Sequence, residues 1–163
     1  MAQRDRDESG NARNARPRDT LGRPVPRDSE GIPRIPDDLD LPPAESLRYA
    51  QDLLDRGLAF SAHEVLEAAW KNGPRNQRTL WQGLAQLAVG ITHVQRGNVK
   101  GASALLDRAA ARLADYGPAP YGIDVDGLVT YARELIAALT TATMTTPPPP
   151  PRLVVSAADR PST

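Results

Sequence analysis

A histidine and two carboxylates lie within five residues of one another in the segment from Phe60 to Trp70. His63 and Glu67 are four positions apart, so they share one face if the segment is helical. The chain has only one other histidine, His93, which lies in a second segment of helical pattern. Imidazole changes charge near neutral pH, binds metals and exchanges protons. We therefore expect any chemistry of this chain to involve these residues.

Two kinds of site are compatible with these residue types. Two histidines and one carboxylate on packed helices, here His63, His93 and Glu67, are the ingredients of a 2-His-1-carboxylate metal centre. These residue types do not determine the cofactor, and a divalent metal ion is one candidate. Without a metal, His63 and Glu67 could act as a base and its orienting acid, with Glu64 as an acid/base. The string His-Glu-x-x-Glu is weaker than the zincin pattern, because a glutamate replaces the second histidine.

Composition excludes several classes of protein. The 163 residues carry 20 basic and 20 acidic side chains, so no net basic field favours a nucleic-acid partner. The chain has no cysteine, which removes disulfides, thiolate metal sites and thiol catalysis. We expect no secretory signal, because no apolar stretch follows the first residues, and no apolar run approaches the roughly 20 residues that span a bilayer. We therefore expect a cytoplasmic protein without a membrane or nucleic-acid partner.

Composition also divides the chain into three parts. Residues 1–40 form an arm rich in Arg, Asp, Pro and Gly, and this arm is expected to be disordered because it can bury little apolar surface. Residues 142–163 form a second disordered tail, in which five consecutive prolines favour a polyproline II rod. The long aliphatic side chains are concentrated in residues 41–141, which are expected to form the folded domain.

Five helices are predicted in this domain, and no strand pattern competes with them. Their predicted limits are about residues 43–56, 61–72, 75–96 and 98–117, and a fifth helix that begins at about Asp124 or Asp126 and ends at Thr140. Ser61 and Glu64 match a capping box at the start of the second helix, with Phe60 and Val65 as a hydrophobic staple. Short connections favour antiparallel neighbours, so the predicted fold is all-α, a compact bundle of about five antiparallel helices.

The third predicted helix carries an unusual polar stripe. Gln82, Gln86 and His93 share one side of it, nearly opposite an apolar stripe, and no residue from Leu80 to Gln95 is charged. A solvent-exposed side normally carries charged residues, so this helix is expected to be buried on more than one side. Buried polar groups need partners, and the second helix offers His63, Glu64 and Glu67 for this.

Two glycines support the expectation of close packing. Gly83 and Gly90 are seven positions apart, so they share a face on which another helix could approach closely. Each glycine costs roughly 1 kcal/mol relative to alanine inside a helix, which suggests a packing reason for both. Trp70 is expected in the core or in the wall of a pocket, three residues after Glu67.

Two functions are compatible with this pattern. The first is a site for a metal or a small ligand between the second and third helices, which could be hydrolytic, with Gln82, Gln86 and Trp70 contacting the ligand. The second is a non-catalytic helical interaction module, in which the polar stripe is a buried network that gives packing specificity. The small-molecule or protein partner stays unidentified. Arg108 and Arg112 on an outer face are as compatible with a homodimer as with solvent.

Two motifs resemble a known family. The first is Ala62-His63-Glu64-Val65-Leu66-Glu67 followed by Trp70. The second comprises Gln82-Gly83-Leu84, Gln86-Leu87-Ala88, His93, Arg96-Gly97-Asn98 and Gly101-Ala102. In order and spacing, they resemble the bacterial and archaeal domain-of-unknown-function family numbered 309, over about residues 44 to 115. The resemblance implies a small all-α fold and brings no activity with it.

Overall fold

The computed structural model describes residues 23, 35–36, 38–142 and 148–155. These residues form five α-helices and no extended strand, which confirms the predicted all-α fold. The helices are α1 (Pro43–Asp55), α2 (Ala59–Asn72), α3 (Arg78–Gln95), α4 (Val99–Tyr116) and α5 (Val125–Thr140), and a short 3-10 turn (Arg75–Gln77) precedes α3. None of the described helices combines the length and the apolar character needed to cross a bilayer.

Three predicted helix starts agree with the structure. Pro43 is the first residue of α1, where its missing N–H costs no hydrogen bond. Asn98 caps α4 by accepting a hydrogen bond from the backbone N–H of Gly101 at 3.1 Å. Asp124 caps α5 in the same way, from the N–H of Gly127 at 3.0 Å. These caps satisfy backbone donors that a helix N-terminus leaves without an intrahelical partner.

The predicted capping box of α2 is wrong. The helix begins at Ala59, its N-cap is Leu58, and no side chain caps it. Ser61 is therefore the third residue of the helix and cannot serve as its cap beside Glu64. The physical reason is a tight turn after α1, which leads the chain into α2 before Ser61 is reached.

The same tight turn joins α1 to α2 and α3 to α4. In each, a glycine adopts a left-handed conformation: φ is 77° at Gly57 and 76° at Gly97. The next residue then donates its N–H to a carbonyl five positions back, from Leu58 to Leu53 and from Asn98 to His93. This is the Schellman arrangement, which only glycine adopts without steric cost. The chain therefore contains two helical hairpins of similar construction.

The two hairpins also bury equivalent positions. Ala62 and Leu66 of α2 lie at the same distances after Gly57 as Ala102 and Leu106 of α4 lie after Gly97, and all four side chains are fully buried. Each helix packs mainly on its neighbours in the sequence, and the contact between α3 and α4 is the most extensive.

Two glycines permit that contact between α3 and α4. A Cβ atom on Gly90 would lie 2.8 Å from Cδ2 of Leu106, and one on Gly83 would lie 3.1 Å from Cδ2 of Leu113. Real Cβ atoms do not come as close as the first distance, so alanine at position 90 would push the helices apart. The close approach predicted from these two glycines is confirmed.

Parts of both predicted tails contact the domain. Ile35 from the N-terminal arm and Leu153 from the C-terminal tail are buried in the hydrophobic core. Residues 148–155 thus depart from the expected disordered tail, because their apolar side chains and backbone groups have partners on the domain. Most other residues of the two tails, including Pro147 of the proline run, lie outside the described residues.

Candidate functional site

His63 and Glu67 are in direct contact on α2. Nε2 of His63 lies 3.1 Å from Oε2 of Glu67, and the ζ-amino group of Lys71 lies 3.3 Å from the other carboxylate oxygen. Nδ1 of His63 lies 3.0 Å from the carbonyl oxygen of Phe60. Both neighbours of the ring are acceptors, so the imidazole makes both hydrogen bonds together only when it carries two protons. The predicted pairing of His63 with Glu67 therefore exists in the structure.

A small recess adjoins this pair. It has a volume of about 70 Å³ and is lined by Glu64, Glu67, Lys71 and residues 35–36. At about 30 Å³ for each water molecule in the liquid, this space suits two or three waters or one small ion. Trp70, which was expected in the core or in the wall of a pocket, is half-buried and packs against the core.

His93 has its hydrogen-bond partner on the turn before α4. Its Nδ1 lies 3.0 Å from the side-chain nitrogen of Asn98, whose oxygen accepts the N–H of Gly101. Since the amide nitrogen of Asn98 is a donor, Nδ1 of His93 is the acceptor. His93 thus supports the cap of α4. Among the described residues, no group of three or more His, Cys, Asp and Glu could hold a metal ion, so His63, Glu67 and His93 are not assembled as a ligand set.

The two glutamines of α3 share one arginine on α4. Nη1 of Arg112 donates to Oε1 of Gln82 at 2.9 Å, and its Nε donates to Oε1 of Gln86 at 3.0 Å. The sequence predicted that the partners of these two glutamines would lie on α2 and that Arg112 would lie on an outer face. Arg112 is instead half-buried, because Gly83 lets α4 approach: a Cβ on that glycine would lie 3.4 Å from Cβ of Arg112.

An extended C-terminal segment, residues 149–155, is bound to the domain beside α1. We call it the docked segment. The side-chain amide of Gln51 forms two hydrogen bonds with it. The amide nitrogen donates to the carbonyl of Pro151, and the amide oxygen accepts the N–H of Leu153, both at 2.9 Å. On the other edge, the carbonyl of Leu153 accepts the N–H of Asp124 at 2.9 Å. The Leu153 side chain is only 1% exposed.

Further contacts fix the two ends of the docked segment. The hydroxyl of Tyr131 on α5 donates to the carbonyl of Pro149 at 2.8 Å. Val155 donates its N–H to the carbonyl of Gly122 at 2.8 Å, next to an antiparallel bridge between Ile123 and Val154. The segment therefore runs from α5 to the loop between α4 and α5, with its backbone bonded along its length.

Arg152 adds a charge contact to the docked segment. Its guanidinium lies 3.4 Å from the carboxylate of Asp55 on α1. The two side chains are 69% and 39% exposed, so this pair adds little stability and chiefly favours a basic residue at this position.

Tyr121 lies where two cavities meet. One, of about 510 Å³, is lined by residues 39–43, the end of α2 and Trp81; the other, of about 340 Å³, is lined by Arg48, Gln51 and the docked segment. Tyr121 lines both, and we call the surface that they form the Tyr121 face. Its backbone has a φ of 64°, an unfavourable conformation for a bulky residue.

Gln77 and Trp81 hold Tyr121 in this position. The hydroxyl of Tyr121 lies 3.0 Å from the side-chain nitrogen of Gln77, and the indole N–H of Trp81 donates to Oε1 of Gln77 at 3.2 Å. The two aromatic rings are tilted, with centroids 6.2 Å apart. Sequence reasoning missed Tyr121, Gln51 and the docked segment; the one available signal was the apolar run Leu153-Val154-Val155 after the prolines.

Fold and site together define a class of protein: two similar helical hairpins and a fifth helix, with an internal polar network and a docked extended segment. Residues 47–105 match the model of the domain of unknown function DUF309, which confirms the family resemblance. The chain is also 42% identical over 48 residues to the Bacillus subtilis (strain 168) protein called Uncharacterized protein YpuF. That match covers 29% of this chain and 28% of the relative. No solved structure matches the chain.

Replacing Arg112 tests the polar network. We expect Arg112→Ala to lower the free energy of unfolding by about 1–3 kcal/mol, because the half-buried oxygens of Gln82 and Gln86 lose their donor. Arg112→Lys should recover only part of this, because an ammonium group cannot reproduce the two-pronged guanidinium contact. Urea unfolding measures the effect, with exposed Arg108→Ala as the matched control. Equal stabilities of the Arg108 and Arg112 alanine variants would contradict a structural network.

Burial raises the pKa of Tyr131 from 10.0 to about 12. Because the unfolded chain loses this proton first, the contribution of Tyr131 to stability is fully present below pH 10 and is lost as the pH rises towards 12. We therefore expect the free energy of unfolding to fall in this range, as measured by urea unfolding at several pH values. Tyr131→Phe has no titrating hydroxyl and should lack this part of the fall. Identical pH profiles for both proteins would refute the assignment.

Proposed function

We propose that this protein is a helical interaction module that binds protein segments on the Tyr121 face. The observation that carries the proposal is the meeting of two cavities, of about 510 and 340 Å³, at one aromatic side chain held by Gln77 and Trp81. Binding interfaces are enriched in aromatic residues that fill or border such pockets. Prolines 42, 43 and 74 also line the larger cavity and stiffen its rim.

The polar stripe of α3 supports a non-catalytic function. Gln82 and Gln86 direct their side-chain oxygens to Arg112, so these atoms are used inside the fold. Two hydrogen bonds from one arginine to these oxygens favour one packing arrangement of α3 and α4 over its alternatives. The two glutamines then serve the packing of α3 on α4, and ligands bind at the Tyr121 face.

A peptide array probes this function with the full-length chain. We expect binding to a subset of random ten-residue peptides, and Ala68→Arg should abolish it, because Ala68 lines the larger cavity and arginine would fill it. The matched control is Ala111→Arg, at an exposed position of α4 outside both cavities. Absence of binding to every peptide, or equal loss in both variants, would overturn the proposal.

A second candidate function is metal or ligand binding at His63, which could support hydrolysis. It is favoured by the 3.1 Å contact between Nε2 of His63 and Oε2 of Glu67, beside the recess that Glu64 also lines. A cation in the recess would replace the ζ-amino group of Lys71 as the partner of the carboxylate. Glu64 would then be placed to exchange a proton with a bound water molecule.

Thermal melting with a panel of divalent metals tests this candidate. A metal at a hundred times its Kd adds about 2.7 kcal/mol of stability, which raises the Tm of a chain of this size by roughly 5–10 °C. We expect His63→Ala and Glu67→Gln to remove the rise. The rise should remain in His93→Ala, because His93 is bonded to Asn98 and is not assembled with the other two residues; its loss there would contradict a site on α2. No rise with any metal in the unmodified chain would eliminate the metal site.

A further inference from the structure

A groove beside the Tyr121 face already holds one extended segment, and the manner of binding indicates what a ligand must offer. Several residues of the domain form hydrogen bonds with the backbone of the docked segment, namely Gln51, Asp124, Gly122 and Tyr131. Backbone recognition of this kind accepts many sequences and requires an extended conformation. Proline-rich segments meet this requirement at low entropic cost, because they are extended before they bind.

The side chains of the docked segment add selectivity at three consecutive positions. Pro151 is buried, Arg152 lies beside Asp55, and Leu153 is enclosed by the core. Leu153 is the anchor of the segment, because its side chain is only 1% exposed and burial of apolar surface is the main favourable contribution to association. The pattern that fits is therefore proline, a basic residue and leucine, in an extended chain.

We propose that the groove between α1 and the loop from α4 to α5 binds extended segments of a partner protein with the pattern proline–basic–leucine, and that the docked segment occupies it as an internal ligand. This inference rests on the proposed function, since it names a ligand for the groove that adjoins the Tyr121 face and shares Gln51 with it. Charge complementarity supports a partner of this kind, because Asp55 borders the groove and remains 39% exposed while paired with Arg152.

The docked segment belongs to the same chain as the groove, so it acts as an intramolecular competitor whose local concentration does not depend on the protein concentration. A partner segment must compete with this tethered copy, so the intact chain binds it more weakly than a chain whose own segment is released.

The experiment uses the full-length chain and a fluorescent peptide with the sequence of residues 148–155, followed by fluorescence anisotropy. We expect Leu153→Asp, which expels the internal anchor, to bind the peptide at least ten times more tightly than the unmodified chain. Adding Gln51→Ala should weaken binding at least tenfold, and adding Asp55→Asn a few-fold. Asp52→Asn is the matched control on α1, since Asp52 is an exposed carboxylate that pairs with Arg56 of the same helix. A peptide with aspartate in place of its leucine should not bind.

A second preparation covers the case in which Leu153→Asp does not fold. A protease site placed within residues 143–147 allows the tail to be cut from the folded chain, and size exclusion then measures whether the fragment stays bound. A fragment that leaves and does not rebind would overturn the proposal. A full-length chain that is dimeric by light scattering, and monomeric as Leu153→Asp, would also overturn it, because the segment would then occupy a second copy.

The failure of this inference can be distinguished from the failure of the proposed function that the peptide array tests. If other peptides bind and Ala68→Arg removes their binding while the proline–basic–leucine peptide fails, the interaction module stands and this inference falls. If no peptide binds in either experiment, both fall.

Discussion

The close packing of α3 on α4 is the constraint on which the rest of the structure depends. Gly90 leaves no room for a Cβ beside Leu106, and Gly83 leaves little beside Leu113, so the two helix backbones approach more closely than ordinary side chains allow. That approach buries α3 on a second side, since α2 already covers the first. It also brings the guanidinium of Arg112 within reach of the α3 glutamines. The polar stripe is thus compatible with burial because one cation from α4 satisfies two of its oxygens.

Features governed by neighbouring residues could be predicted from the sequence. Pro43, Asn98 and Asp124 act within one turn of the chain, so residue type alone indicated where their helices begin. The contact of His63 with Glu67 follows from helical spacing in the same way. The start of α2 was misjudged because a tight turn outweighed a good capping-box sequence. Its N-cap, Leu58, is positioned by the Schellman bond to Leu53 and by burial of its side chain, which dominate over the preference for a polar cap.

Features that join distant parts of the chain could not be predicted in this way. The helical wheel correctly placed Gln82 and Gln86 on one side of α3, but it could not indicate whether α2 or α4 would cover that side. The docked segment is a stronger example, since Gln51 bonds to residues about a hundred positions away. Composition indicated a solvated tail because prolines and small polar residues dominate it. The burial of Pro151 and Leu153, together with backbone hydrogen bonds along the segment, holds this part of the tail against the domain.

The strained backbone at Tyr121 connects the fold to the proposed function. A left-handed conformation at a bulky residue costs of order 1–3 kcal/mol, so it persists only where the surroundings hold it. Here the side chain of Gln77 and the ring of Trp81 hold the tyrosine, and the following Gly122 is also left-handed, with a φ of 73°. At this turn the carbonyl of Gly122 accepts the N–H of Val155 in the docked segment. A relaxed turn would remove that acceptor and move the ring that separates the two cavities. The strain is thus located where the domain presents backbone groups to an extended chain, as expected of a binding surface.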